Sequence, residues 1–538
     1  MSIRVLHIPR LSVLAAAFAL VLVGVGTAAA QSPQTPSVPS GPLTLEQVLA
    51  IAEARSEAVG IAQVGVTRTE GDAVRANAAG RPQLSAAASY DRSLANEFQG
   101  VFDNIDFGGS GSGSGTGDTG DGGSLADLPF GRANTWRASL SFSQSLYSGG
   151  RIGAQKRLAD LGRTTAEQTL AGARAQLRFD VTQAYYDALL SDRLAVIAQA
   201  TLDQAGATLQ QTQAGFDAGT QPEFEVLRAR VSRDSQTPVL IRQRTSQELA
   251  LLRLKQLLEL PIDYDLRLAD DLGDPALAPA PVFAERVGPV EAALRTPDPV
   301  AVRLQKTPMP DRTAVAEAVT TVSLREAALK AVEAERMPSV NFTSNYSRIA
   351  YPSGAFPAFD RANWSLGAAV TVPILTGGRQ RGDEMVARAD IEQARLQQKQ
   401  VAELAALDTR SAWAELIAAR ASWEATAGTV QQATRAYEIA DVRFRNGVST
   451  QLELSDSRLL LQQAEANRAL AARDLQVARA RVALLPDLPL GNGGALATRA
   501  TGQTAQPSAP QQPQPQQRGT TQFANAAVPA GQPQTGTR

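Results

Sequence analysis

Four stretches of the chain alternate apolar and polar residues with a period of two. In 83–92 the even positions are Leu84, Ala86, Ala88 and Tyr90, and the odd ones include Gln83, Ser85, Ser89 and Asp91. In 135–146 the even positions are Trp136, Ala138, Leu140, Phe142, Gln144 and Leu146, set between Thr135, Arg137 and a run of serines. Val340, Phe342 and Tyr346 repeat the pattern, and so do Trp364, Leu366, Ala368, Val370 and Val372. Such alternation predicts strands with one apolar and one polar face. Each run is about ten residues, near the ~9–11 that a tilted strand needs to cross a bilayer. Any single run would also suit a half-buried strand of a soluble sheet. Four runs, paired as hairpins beside very long helices, point instead to a barrel wall with lipid outside and water inside.

Elsewhere the period is that of a helix. Leu45, Val48, Leu49 and Ala52 mark a helical segment over 43–79, with Thr44 and Glu46 near its start. After each hairpin Pro is absent for a long stretch, from Phe130 to Gln221 and from Ile374 to Leu485. Val181, Tyr185, Ala188 and Leu189 keep helical spacing there, as do Leu404, Leu407, Ala414 and Ile417. As one helix, 153–216 would extend roughly 95 Å at ~1.5 Å per residue. A helix that long needs neighbours along its whole length, and Ala-rich stripes suit close packing. Each ends in Phe-x-x-Gly: Phe216-Asp217-Ala218-Gly219-Thr220 and Phe444-Arg445-Asn446-Gly447-Val448. Gly suits the left-handed residue after a helix C-terminus. Thr220 with Glu223, and Thr450 with Glu453, read as capping boxes that open return helices. Pro222 fits a first helical turn; Pro238 is expected to kink or break the first return helix.

These segments occur twice. Trp136, Tyr185, Phe216 and Gly219 recur as Trp364, Trp413, Phe444 and Gly447, all at an offset of 228 residues. Ser148-Gly149-Gly150-Arg151 recurs as Thr376-Gly377-Gly378-Arg379 at the same offset. Before the hairpins the offset is 256, from Pro82 to Pro338, so the first outer loop is longer. The chain therefore divides into repeats at 43–260 and 311–490. The first holds a hairpin at about 83–146, a long helix at about 153–216 and a return helix at about 222–259. The second holds a hairpin at about 339–373, a long helix at about 380–444 and a return helix at about 450–485. Residues 261–310, rich in Pro and Asp without a clear period, form an equatorial linker. The first outer loop carries nine Gly in the sixteen residues 108–123, a flexible low-complexity stretch. Residues 31–42 and the Gln- and Pro-rich 491–538 read as a disordered lead-in and tail.

Composition narrows the chemistry. Residues 1–30 read as a signal peptide: Arg4 and Arg10, an apolar run from Leu11 to Val25, then Ala28-Ala29-Ala30. Its removal shifts the formal charge from −1 to −3, so nothing suggests nucleic-acid binding. The chain has no Cys, and its one His, His7, lies in the leader. Most zinc sites, His acid–base catalysis and thiol chemistry are thereby excluded. No G-x-x-x-x-G-K-[ST] phosphate loop is present. No enzyme, cofactor or metal is expected.

Four strands cannot close a membrane barrel, since the smallest have about eight and open edges do not stand in lipid. Several chains must share one barrel, and the helices that continue from the strands must extend it as a tube. Two, three or more subunits would satisfy this. The duplicated order of helix, hairpin, Gly-Gly-Arg turn, long helix, Phe-x-x-Gly turn and return helix resembles the TolC-like outer membrane efflux proteins. The resemblance covers roughly 43–490. It implies a mainly α fold with a membrane β-barrel portion, in which a homotrimer forms a 12-stranded barrel over a periplasmic helical tube.

By that resemblance the protein sits in the outer membrane lipid, with tube and tail in the periplasm. It would be the exit duct of a tripartite efflux or type I secretion system. Its partners would be a periplasmic adaptor (membrane fusion) protein and an inner-membrane pump or ABC exporter. The family's adaptor-contacting tips map to Phe216, Gly219, Thr220, Phe444, Gly447 and Val448. Its acidic entrance constriction maps to Glu225, Glu453 and Asp456. The type member carries an Arg where this chain has Ser449 and a Tyr where it has Phe444; Arg445 is the nearby substitute. Read without the family, Glu453 also suits a helix cap, Glu225 and Asp456 suit first-turn acids favoured by the helix dipole, and both Gly suit C-caps. A periplasmic coiled-coil scaffold or adaptor outside the membrane is the competing expectation.

Overall fold

The computed structural model describes residues 41–92, 94, 134–274, 277–294, 311–350 and 361–490. The leader, nearly all of the lead-in, the Gly-rich stretch 108–123 and the tail at 491–538 lie outside them. One compact unit runs Met1–Gly491; a second, Asn492–Arg538, falls wholly outside the described residues. In chain order the elements are α1 (Leu45–Arg55), α2 (Glu57–Ala78), β1 (Gln83–Arg92), β2 (Asn134–Tyr147), α3 (Arg151–Asp217), α4 (Glu223–Leu257), α5 (Pro281–Leu294), α6 (Thr313–Ala334), β3 (Ser339–Ala350), β4 (Arg361–Thr371), α7 (Arg379–Arg445) and α8 (Gln451–Leu484). The duplication is visible in their bounds. α2 and α6 each have 22 residues, and α3 and α7 each have 67. At ~1.5 Å per residue the two long helices each extend about 100 Å.

The four strands form one antiparallel sheet in the order β1-β2-β3-β4. Its register keeps the even positions in line: Leu84 faces Phe142, Leu140 faces Tyr346, Tyr346 faces Trp364 and Val340 faces Val370. A single apolar face therefore crosses all four strands, and it is uncovered: Trp364 is 70% exposed and Leu84 65%. The opposite face carries Ser85, Ser139, Ser141, Ser143, Asn341, Thr343, Asn345 and Ser365. β1 and β4 stand at the ends of the order, so each presents an open edge among the described residues.

Each long helix leaves the sheet through a double-glycine corner. Gly149 and Gly150 have φ of +62° and +93°, and Gly377 and Gly378 have +60° and +87°. An L-residue pays a steric penalty in that left-handed region, which glycine avoids. A four-residue turn closes each corner: Arg151 N donates to Ser148 O at 3.0 Å and Arg379 N to Thr376 O at 3.1 Å.

The helices form a layer rather than a bundle around a centre. On the sheet side the neighbours run α2, α3, α6, α7; on the far side they run α4, α3, α8, α7. The outer members of this layer bear exposed apolar side chains. Examples are Ile61, Val64 and Val74 on α2, Phe224, Leu227 and Val231 on α4, and Met385, Val386 and Leu396 on α7. No helix among the described residues is long and apolar enough to cross a membrane.

The main core lies midway along the layer, where α1 and the segment after α4 pack on α3 and α8. Val48, Val181, Tyr185, Leu254, Leu258, Val287 and Leu475 are almost fully buried there. Thr44 closes a capping box on α1, giving a hydrogen bond to Gln47 Oε1 at 3.1 Å and accepting one from Gln47 N. Tyr185 donates its hydroxyl to Asp270 at 2.9 Å. Burial, with the Asp270 charge second, pushes that phenol above its ordinary range. Tyr185 is thus a packing residue.

Three local expectations are corrected. The stretch after residue 260 is not featureless. It contains α5, and Leu43 bridges to Leu268. Phe283 and Val287, four residues apart, bury one face of α5; Pro and Asp neighbours hide that short period. Pro238 does not break the return helix, because α4 continues through it. Its ring removes one backbone bond, while α4 packs along α3. Finally, Thr220 forms no capping box. Its hydroxyl donates back to Gly215 O at 2.9 Å, and Pro222 is the N-cap of α4 without a side-chain bond. The position matching Thr450 at the 228 offset is Pro222, which has neither hydroxyl nor N–H.

Candidate functional site

The two helix turns lie at the end of the layer farthest from the sheet. In each, a glycine takes the left-handed conformation, Gly219 at φ +76° and Gly447 at +69°. Thr220 N donates to Gly215 O at 2.8 Å, and Val448 N to Arg443 O at 2.9 Å. These bonds reach back five residues and satisfy carbonyls that the helix end would leave unpaired. A Cβ built on either glycine meets nothing within 4 Å. Both apices therefore face open space, as do Thr220 and Val448.

The two turns differ in their aromatic residue. Phe216 is 40% exposed, whereas Phe444 is 8% exposed and packs with Tyr437, Ala440, Leu454 and Leu461. Phe444 thus sits in the core of its own turn. The signal for this is apolar residues at 440 and 437 on α7, one and two turns before 444, and at 454 in the first turns of α8.

The first acidic position is built by both return helices. Glu225 sits in the first turn of α4, with Arg228 Nη1 at 3.5 Å. Gln451 is buried in the first turn of α8; with its amide turned so that Nε2 faces the carboxylate, it donates to Glu225 Oε2 at 2.9 Å and to Glu225 O at 3.0 Å, and accepts from Ala229 N at 3.0 Å. This contact fastens the start of α4 to the start of α8. Glu225 and Glu453 are equivalent positions of the two repeats at the 228 offset.

Glu453 is held by different groups. Its N–H donates to the Thr450 hydroxyl at 3.4 Å, which caps α8. Its carboxylate accepts from the Ser449 hydroxyl at 2.7 Å and pairs with Arg443 at 3.2 Å. Ser449 is thus the hydrogen-bond donor to the acidic position. Arg445 pairs instead with Asp441, one turn back on α7, at 2.8 Å. The basic partner is Arg443, not Arg445, because only Arg443 lies on the side of α7 that faces the start of α8. Asp456 is exposed one turn further along α8. The structure thus gathers Glu225, Gln451, Arg443, Ser449 and Glu453 at one end of the layer, with Asp456 beside them. Arg443 was missed in the sequence because charge alone does not distinguish it from Arg445.

The sheet is the second functional surface, with an apolar face backed by a hydroxyl-rich one. That arrangement separates lipid from water once the open edges are closed.

A family model described as "Outer membrane efflux protein" matches residues 48–259 and 311–486. No curated protein matches the sequence. Solved structures share the fold. The CmeC outer membrane channel of Campylobacter jejuni aligns at 14% identity and TM-score 0.61, covering 85% of this chain and 89% of that one. The outer membrane protein VceC of Vibrio cholerae aligns at 18% identity and TM-score 0.61, over 82% and 96%. The open state of the MtrE outer membrane channel of Neisseria gonorrhoeae aligns at 18% identity and TM-score 0.61, over 85% and 95%.

Proposed function

This chain belongs to the outer membrane efflux protein family, and from that premise we propose that it is a passive exit duct. A homotrimer would carry material from a periplasmic adaptor and an inner-membrane pump or ABC exporter to the exterior, in tripartite efflux or type I secretion. The observation that carries the reading is the open four-stranded sheet whose strands lead straight into 67-residue helices. Three copies supply twelve strands, enough to close a barrel. The tube continues it, and cargo moves through without chemistry on the chain.

The duplication suggests the way the copies would join. β2 and β3 pair within the chain, so β4 of one protomer should pair with β1 of the next in the same way. Inside the chain Ser141 faces Asn345. Carried through the offsets of 228 and 256, that pair becomes Ala369 facing Ser89 of the next protomer. Directly opposed antiparallel residues have Cα atoms about 4.5–5.5 Å apart, within disulfide range. The chain contains no Cys, so background is absent. A Ser89→Cys/Ala369→Cys variant is expected to run as a covalent trimer on non-reducing, heat-denatured gels, and each single variant as protomer. Protomer alone from the double variant would sink the shared-barrel reading.

Glu225, Glu453 and Asp456 would line the periplasmic entrance, repeated around the threefold axis. A ring of carboxylates concentrates cations and repels anions. Neutralising all three, as Gln, Gln and Asn, is expected to lower the cation-over-anion permeability ratio several-fold in planar bilayers. Unchanged reversal potentials in a salt gradient would place these residues away from the constriction. Arg443 and Ser449, already holding Glu453, would temper that ring. The exposed apices around Gly219 and Gly447 would meet the adaptor as two unlike contacts, one flanked by Asp217 and Phe216, the other by Arg445 and Asn446.

A further inference from the structure

The apolar face of the sheet carries a repeated polar device at its outer end. In each hairpin the first strand reads Tyr-x-Arg: Tyr90-Asp91-Arg92 and Tyr346-Ser347-Arg348, at the 256 offset. Each Tyr lies directly opposite a Trp on the next strand, Tyr90 against Trp136 and Tyr346 against Trp364. The rings of Tyr90 and Trp136 are 4.7 Å apart between centroids. The polar ends are anchored locally. Tyr90 Oη donates to Asn134 Oδ1 at 2.9 Å, Trp364 Nε1 donates to Ser344 Oγ at 3.0 Å, and Arg348 Nε donates to Tyr346 Oη at 2.8 Å.

Position and charge give the device its direction. A residue two along a strand stays on the same face, about 6–7 Å further on. Both Arg therefore lie on the apolar face, beyond their Tyr–Trp pair and toward the outer loops, and both are exposed. Among the described strand residues they are the only charged ones on that face; Asp91 and Arg137 point the other way. Tyr and Trp on a lipid-facing wall mark the interface with water. A guanidinium just outside that level reaches the headgroup layer, where its planar fork suits phosphate.

We propose that Arg92 and Arg348 form two matched clasps per protomer for the phosphate groups of outer-leaflet lipid. The inference rests on the reading of the sheet as a lipid-facing barrel. Six such groups would ring a trimer and tie it to anionic lipid on the outer side only.

The test uses the full-chain trimer in nanodiscs, with native mass spectrometry counting retained lipid A. Bisphosphorylated lipid A is compared with its dephosphorylated form. The parent protein is expected to retain the phosphorylated lipid. Arg92→Gln and Arg348→Gln should each weaken retention about fivefold, and the double Gln variant should bind both lipids alike. Arg92→Lys/Arg348→Lys should recover part of the retention, which a merely structural role would not give. Equal retention of phosphorylated lipid A by parent and double Gln variant, both trimeric, would overturn the clasps. So would equal retention of the two lipids by the parent. Failure of the parent to enter nanodiscs of neutral phosphatidylcholine would instead count against the barrel itself.

Discussion

Gly149→Ala is expected to remove most of the trimer recoverable from the outer membrane. The residue sits at φ +62°, and an added Cβ would overlap the Cβ of Met337 and lie 2.9 Å from Ala334 O. Neither obstacle is a flexible side-chain end, so the α6–β3 junction would have to move. The left-handed backbone costs about 1–2 kcal/mol for an L-residue, and overpacking about 1–3 kcal/mol more. Together these reach a large part of a typical folding margin. Gly377, its counterpart, meets nothing within 4 Å inside the protomer. By the repeat, the matching obstacle at the 256 offset would be Arg81 of the next protomer in the proposed trimer. Gly377→Ala should therefore cost the protomer only the backbone strain of its φ of +60° and act mainly by hindering closure of the trimer. Circular dichroism and limited proteolysis of solubilised protomers, beside trimer bands on gels, separate the two. Equal damage to folded protomers by both substitutions would show that the overlap with Met337 is not the cause.

Arg479→Met is expected to lower stability by about 3–5 kcal/mol, because it leaves a buried carboxylate unpaired. Arg479 and Glu291 have only 10% and 9% of their side chains exposed and meet at 2.6 Å. Arg479 also donates to Leu277 O at 2.7 Å, where Leu277 holds a left-handed φ of +34°. Gln476 adds a bond to Ala278 O at 2.8 Å. These contacts hold the segment between the repeats against α8. Arg479→Met/Glu291→Leu should recover much of the loss, since an apolar pair replaces an ion pair of similar volume. Urea unfolding followed by circular dichroism in detergent measures both. A double variant no more stable than the single one would mean that the segment is held by the carbonyl contacts rather than by the pair.

The parts of the fold legible in the sequence are those governed by periodicity. Alternation at 84–90 and 136–146 marks strands because a pleated chain presents every second residue to one face. Pro-free length and Gly-Gly corners mark the 67-residue helices. What was not legible depends on which side chains meet after the chain has turned. Thr220 and Thr450 look alike, each three residues before a Glu, yet one caps a helix and the other bonds backward to Gly215. Arg443 and Arg445 differ only in which side of α7 they occupy, and that decides which one reaches Glu453. Phe216 and Phe444 occupy equivalent positions, but only Phe444 finds Tyr437 and Leu454 beside it. The Arg479–Glu291 pair joins residues 188 apart, beyond the reach of any local pattern. The groups that hold Glu225 and Glu453, namely Gln451, Ser449 and Arg443, have no such local signal.

The two open edges of the sheet set how this molecule depends on its own abundance. A lone protomer presents unpaired backbone at both ends of an apolar sheet, and nothing among its described residues pairs with them. The closed sheet is therefore tied to encounters with two identical copies, and the stability of the assembled form rises with protomer concentration. Dilution favours the orphan, whose free strands invite pairing with any extended chain. Ring closure is then both assembly and protection, so a population of these chains should contain closed rings or discarded chains, with little between.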